Sequence, residues 1–311
     1  MRRPARLPPA VPPASGVRPA GRPVLVMLTA VLALATAGCA ALRPEAPTCP
    51  SDAQIADTVR RYVALEPEPN PPESMTMAGA VCGRDKLVRA LVPSQGRIVG
   101  YKAGLTNTAV QRRFGWDAPV RGTLFERTIV ADGAEVPAKF GARPLFEADL
   151  VVEVGSSTIH DAATPLQVLA ALRSIRPFIE LPDLVVQEPA KLGGIGITAI
   201  NVGARLGVLG APIAATADPK LADALRDMTV RLVDGSGKEL DAGRGSAILE
   251  HPLNAVIWLA QDLKQSGIVL KPGDLLSLGS FSRLLPPQPG TTVRAVYEGL
   301  PGTPSVSVRF R

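Results

Sequence analysis

Between Pro144 and Val154, apolar Phe146, Ala148, Leu150, Val152 and Val154 alternate with Glu147, Asp149, Val151 and Glu153. That period of two marks a strand. It points Glu147 and Asp149 the same way, with Cβ atoms roughly 7 Å apart. Acidic residues disfavour strands unless their charge has somewhere to go. The pair is therefore either the solvated face of an edge strand or two hard oxygen ligands facing a divalent cation.

Other patterns surround this strand. Ser51 and Asp52 can cap a helix running to about Leu65, with Ile55, Val59, Tyr62 and Val63 on one face. A second helical stretch covers residues 74–93. Short β segments follow at 97–105 and 123–130. Thr164 and Pro165 open a helix expected to reach about Ile175, with 176–184 extended after it. Residues 228–233 and 238–242 form a hairpin around Asp234-Gly235-Ser236-Gly237, and 252–265 is a helix stopped by Gly267. Strands at 274–278, 292–297 and 305–310 close the chain. The class this predicts is α+β, rich in β-structure, with a small helical N-terminal region, rather than a doubly wound sheet.

The leader is of another kind. Residues 1–23 hold Arg2, Arg3, Arg6, Arg18 and Arg22, and no acid. Residues 24–37 are then apolar apart from Thr29 and Thr36, too short a run for a comfortable membrane span. This is the shape of a signal peptide. Thr36-Ala37-Gly38-Cys39 resembles a bacterial lipoprotein cleavage box, although an aliphatic residue is usual at position 36. The expectation is a signal peptide over 1–38, a tether and N-terminal helix over 39–73 lipidated at Cys39, and a catalytic domain over 74–311. Such a protein would be exported and anchored to an envelope membrane, facing the periplasm. An ordinary signal peptide is the alternative.

Charge and cysteine use follow from this. The chain has 34 basic and 28 acidic residues; setting aside the five leader arginines leaves 29 against 28. A near-neutral body offers no electrostatic case for nucleic acid. With Cys39 assigned to lipid, Cys49 and Cys82 remain, and an oxidising compartment permits them to pair. Two buried free thiols are the other option.

Nucleophilic hydrolysis has little support. His160 and His251 are the two histidines, one in a turn and one before a helix, and no G-x-S-x-G elbow exists. Leu192-Gly193-Gly194-Ile195-Gly196 lacks the lysine and spacing of a nucleotide fingerprint. Carboxylates and a lysine remain. Glu147, Asp149 and Glu180 offer three anionic oxygen donors of the type magnesium or manganese prefers. Lys102, in an apolar glycine-flanked segment, either snorkels to the surface or is a buried charge that meets an anion.

These pieces occur in one order: Gly-Tyr-Lys-Ala-Gly-Leu-Thr (100–106), Phe-Glu-Ala-Asp (146–149), Phe-Ile-Glu-Leu-Pro-Asp (178–183) and His-Pro-Leu-Asn-Ala-Val-Ile-Trp-Leu-Ala (251–260), then Lys-Pro-Gly-Asp (271–274). From about residue 75 onward the chain resembles the 2-keto-4-pentenoate hydratase branch of the fumarylacetoacetate hydrolase superfamily. The resemblance implies a fumarylacetoacetase C-terminal-like fold, a homo-oligomer and a divalent cation, Mg2+ or Mn2+, held by Glu147, Asp149 and Glu180. Here Asp149 is a shorter acid than the family's usual Glu. The implied substrate is a 2-oxo acid or its dienol, such as 2-hydroxy-2,4-pentadienoate, hydrated through a metal-stabilised enolate. Lys102 would neutralise the carboxylate or move a proton, Asp183 would assist catalysis, and Asn201 would touch substrate. Glu153, beyond Val151, is a strand-end residue rather than a fourth ligand.

One stretch departs from the family. Where the hydratases usually carry Asp-Asn-Ala-Ser-Ser, this chain has Ile200-Asn201-Val202-Gly203-Ala204, and Leu278 stands where Thr is common. A decarboxylase, an acylpyruvate hydrolase, an oxaloacetate tautomerase and an inactive lipid-anchored 2-oxo-acid-binding protein are the alternatives.

Overall fold

The computed structural model describes residues 48–311, and the expectations for the leader and Cys39 lie outside them. The chain enters through α1 (Asp52–Ala64) and α2 (Met77–Gln95), then β1 (Ile98–Gly104), α3 (Thr108–Arg113), β2 (Val120–Phe125), β3 (Ile129–Ala131) and β4 (Ala134–Val136). Next come β5 (Glu147–Val154), α4 (Pro165–Ala171), β6 (Leu172–Leu181), α5 (Gly194–Ala199), β7 (Leu206–Leu209) and β8 (Ile213–Ala214). The last third is α6 (Pro219–Asp227), β9 (Thr229–Asp234), β10 (Glu239–Arg244), α7 (Pro252–Gln265), β11 (Leu275–Ser277), β12 (Thr292–Glu298) and β13 (Ser305–Phe310).

One sheet runs β2-β1-β11-β5-β6-β7-β3, with β8 also on β6; the second runs β10-β9-β12-β13-β4. The α+β class is as expected. β5 is an interior strand, antiparallel to both β11 and β6. Its alternation therefore does not mark a solvent face: seven of its eight residues are buried, with Glu153 partly open. Glu153 ends the polar row in an ion pair with Arg173 at 2.7 Å. The apolar row of β5 joins a core shared with α4, α6, α7 and strands of the second sheet. Tyr297, fully buried on β12, ties the layers together: its hydroxyl donates to the carbonyl of Asp149 and accepts from the N–H of Phe178 at 3.0 Å.

One helix end differs from the sequence expectation. α4 stops at Ala171, and Leu172 to Ile175 belong to β6. Pairing with β5 down to Val154 outweighs the helical spacing of those residues. α1 forms where its pattern places a helix. Its Ile55 and Tyr62 pack with Leu87, Val88 and Leu91 of α2 and Phe125 of β2, behind a Ser51–Gln54 capping box.

Cys49 and Cys82 are joined, with Cα atoms 5.5 Å apart and a separation of 33 positions in sequence. The cross-link pins the chain entering α1 onto α2. Replacing both by Ser should lower the unfolding free energy by about 3–4 kcal/mol on the chain-entropy account. Urea melts of the oxidised protein and the variant measure this; coincident midpoints would refute it.

Both histidines accept backbone N–H groups: His160 from Leu270 at 2.8 Å, and His251 from Leu253 at 3.1 Å, capping α7. His251 Nε2 then donates to the carbonyl of Ala222 at 3.0 Å, which sets the neutral tautomer. Burial holds this imidazole below its ordinary value. The folded state thus binds the proton more weakly than the unfolded chain, so its contribution is complete above about pH 6.5 and is lost as pH falls below it. His251→Asn keeps a capping oxygen without the titration. The wild type's advantage in melting temperature over this variant should shrink between pH 7.5 and 5.5; an unchanged gap would remove His251 as the cause.

Candidate active site

Strand register assembles the site. Glu147 lies directly opposite Glu180 across β5 and β6, and Asp149 is two residues along the same face. Val151 of that face pairs with Ser277 of β11, which in turn pairs with Lys102 of β1. Three carboxylates and one lysine from three strands therefore share one surface. All are withdrawn from solvent, at 9% exposure for Glu147, 0% for Asp149, 2% for Glu180 and 3% for Lys102.

Lys102 Nζ donates to Glu180 Oε1 and to the carbonyl of Val202, the latter at 3.0 Å. An ammonium has three donors, so one remains. Glu180 Oε2 is buried with no partner. Asp149 is the best held of the acids. Its Oδ1 accepts from the N–H groups of Leu150, Leu278 and Gly279 at 2.5, 3.2 and 2.9 Å, and its Oδ2 from the Ser277 hydroxyl at 2.5 Å. Gly279 can present its N–H there because its φ of 104° suits glycine.

One ammonium does not balance three buried carboxylates, and the acidities record the excess. Burial, then Glu180, pushes Glu147 well above the usual carboxylate range, with Lys102 opposing. Burial, then Glu180, raises Asp149 to about 7 against the pull of Ser277 and the Leu150 N–H. Among the described residues, no three His, Cys, Asp or Glu side chains are gathered as a metal cage. Asp149 is committed to the 278–279 backbone, and Lys102 takes one oxygen of Glu180.

A cleft opens over Lys102, Glu147 and Glu180. These three are its charged lining; Leu105, Val110, Phe114, Ile197, Val202 and Leu284 make apolar walls. Two expected site residues do not line it. Asp183 accepts from the N–H groups of Ala142 and Arg143 at 2.9 and 2.7 Å, anchoring the segment that leads into β5. Asn201 spends its amide on Thr123, accepting from its N–H at 2.8 Å and donating to its carbonyl at 3.0 Å. Their placement corrects a catalytic Asp183 and a substrate-touching Asn201: both side chains serve backbone.

Residues that sequence reasoning passed over include Ser277, which holds Asp149, and Ser280, which lines the cleft with Glu147 and donates its hydroxyl to the Ser282 carbonyl at 2.6 Å. Thr106 lines the cleft and donates to the carbonyl of Leu278 at 3.1 Å. Thr106 ends the quoted 100–106 motif, and that was its only signal. Ser277 closes β11 within the strand expected at 274–278, and Ser280 follows Gly279 in the segment after it.

A two-layer β-rich fold with acids on adjacent strands over a lysine-floored cleft defines a class, and comparisons identify it. No family model matches the chain. It is 30% identical over 237 residues to a 4-oxalocrotonate decarboxylase of Pseudomonas sp. (strain CF600), covering 76% of this chain and 86% of that protein. It is 31% identical over 213 residues to a 2-keto-4-pentenoate hydratase of Dechloromonas aromatica (strain RCB), covering 68% and 79%. A solved 4-oxalocrotonate decarboxylase from Pseudomonas putida G7, complexed with magnesium and adipate, superposes with a TM-score of 0.73 at 26% identity, over 83% of this chain and 95% of that one. The chain belongs to the family of 2-keto-4-pentenoate hydratases and 4-oxalocrotonate decarboxylases.

Proposed function

We propose that this chain is a divalent-cation-dependent lyase that hydrates the dienol of a 2-oxo acid, of the 2-hydroxy-2,4-pentadienoate type. The observation that carries this is the charge balance at the cleft floor: three buried carboxylates, one ammonium, and an unpartnered Glu180 Oε2. A cation of charge two suits that excess, and oxygen donors suit magnesium or manganese. Glu147 and Glu180, which line the cleft, would hold it, with Asp149 behind them committed to the 277–279 segment. Once bound, it supplies Lewis-acid polarisation of the 2-oxo oxygen.

The chain's own groups do the rest. The remaining N–H of Lys102 meets the substrate carboxylate, a charge-assisted bond in a dry site. The apolar walls receive the hydrocarbon end and limit bulk water. Overall, the 2-hydroxyl loses its proton as C5 gains one, and water then adds its oxygen to C4 and its hydrogen to C3.

Decarboxylation of a dicarboxylic 2-oxo acid is the second reading, supported by likeness to the Pseudomonas enzymes. Hydration is preferred because Lys102 is the one cationic residue lining the cleft, leaving a second carboxylate to meet Val110, Phe114 or Leu284 without a partner. Purified protein with magnesium should bleach the absorbance of 2-hydroxy-2,4-pentadienoate, and Glu147→Gln should not. Release of CO2 from 4-oxalocrotonate with no bleaching of the pentadienoate would favour the second reading. Magnesium-dependent binding without turnover of either would end both.

We also propose that the protein is exported and lipid-anchored at Cys39, facing the periplasm. The Cys49–Cys82 bridge supports this, because such bonds persist in oxidising compartments. Palmitate labelling and globomycin-sensitive processing are expected; no label at Cys39 would refute the anchor.

A further inference from the structure

Asn201, Val202 and Gly203 have φ of 54, 54 and 65°, three left-handed residues in succession, of which Val202 lines the cleft. Asparagine and glycine tolerate that region; a β-branched valine there is an outlier that neighbours must impose. The imposing contacts are visible. The Asn201 amide is latched to both polar atoms of the Thr123 backbone in β2. The Gly203 carbonyl accepts the Asp183 N–H at 2.9 Å. Two glycines make room: a Cβ on Gly104 would meet Val202 Cγ1 at 2.4 Å, and one on Gly122 would meet the Asn201 carbonyl at 2.7 Å.

The turn brings the Val202 carbonyl to the buried ammonium of Lys102, while its side chain lines the cleft. Glu180 and this carbonyl together take two of the three Lys102 donors and so fix where the third points. We propose that the turn 201–203 is the positioning element of Lys102, with Asn201 as its latch. This rests on the cleft being the active site proposed above. It also gives Asn201 a role in turnover without contact with substrate.

Asn201→Ala releases the latch. The expected result is a kcat lower by roughly 10–100-fold, the range for a partner that orients a working group, with KM within about threefold. Adding Val202→Gly should restore most of kcat, since glycine adopts the left-handed turn unassisted. Asn201→Asp keeps the acceptor for the Thr123 N–H and should fall between, which preserves the test if the alanine variant does not fold. Acetylation of Lys102 by acetic anhydride, read by peptide mass spectrometry, needs no turnover. It should be slow in wild type, about tenfold faster in Asn201→Ala, and slow again in the double variant. A lowered melting temperature with unchanged kcat and labelling would overturn the positioning role, as would failure of Val202→Gly to restore either. If wild type turns over no 2-oxo acid, the functional reading fails, and the labelling pattern still decides the role of the turn.

Discussion

Glu147→Gln should abolish turnover, by about 1000-fold or more, while making the metal-free protein more stable than wild type. The two effects have one origin. Glu147 faces Glu180 across the sheet with Asp149 beside it, and one lysine serves all three. In chelator, folding must bury this negative excess or bind protons to relieve it, since burial and Glu180 make Glu147 and Asp149 weaker acids than usual. An amide of the same shape removes one buried charge and should gain about 1–2 kcal/mol, a common yield when strain at a working site is relieved. Magnesium reverses the order. A ligand that binds only the folded state, at about 100 times its Kd, adds roughly 2.7 kcal/mol. Wild type should therefore gain several degrees in melting temperature with magnesium, while Glu147→Gln gains little. Equal shifts in both proteins would show that Glu147 does not hold the cation. A variant less stable than wild type in chelator would show that the carboxylate is not under strain.

The sequence made the centre of this site legible because a strand exposes its periodicity. Glu147 and Asp149 had to share a face, and the structure adds that the face is covered. Glu180 and Lys102 were reachable only through motif order, since nothing local says that residues 78 apart will meet. The two misplaced residues share one reason. Asp183 and Asn201 bond backbone N–H and carbonyl groups some 40 and 78 residues away, and no side-chain pattern announces a backbone partner. The 200–204 departure puts apolar residues where the hydratases usually carry polar ones. In the structure its main-chain carbonyl, not a side chain, faces Lys102, so the group with a job there is one that every residue carries. The early end of α4 is the same lesson in the fold: pairing with β5 decided residues whose own spacing favoured helix.

Lys102→Met should be the most damaging single change, because it removes the one ammonium that the buried acids share. Breaking a buried ion pair from one side costs about 3–5 kcal/mol, since the partner is left charged without compensation. Here Glu180 would keep neither of its oxygens paired, Oε2 being already without a partner. Turnover should fall about 1000-fold, in the range for deleting a donor aimed at developing charge. Lys102→Arg should not rescue it, because the Lys102 Nζ sits between Glu180 and the Val202 carbonyl as a compact point charge, and a larger planar guanidinium cannot take that place. The decisive arm is the double variant Lys102→Met/Glu180→Gln. With both charges gone, the stability loss should shrink to about 1–2 kcal/mol, as replaced buried pairs are often near neutral, while activity stays absent. Urea melts and initial rates on the four proteins measure this. If the double variant is as unstable as Lys102→Met, packing of the lysine stem rather than its charge holds the cleft floor together.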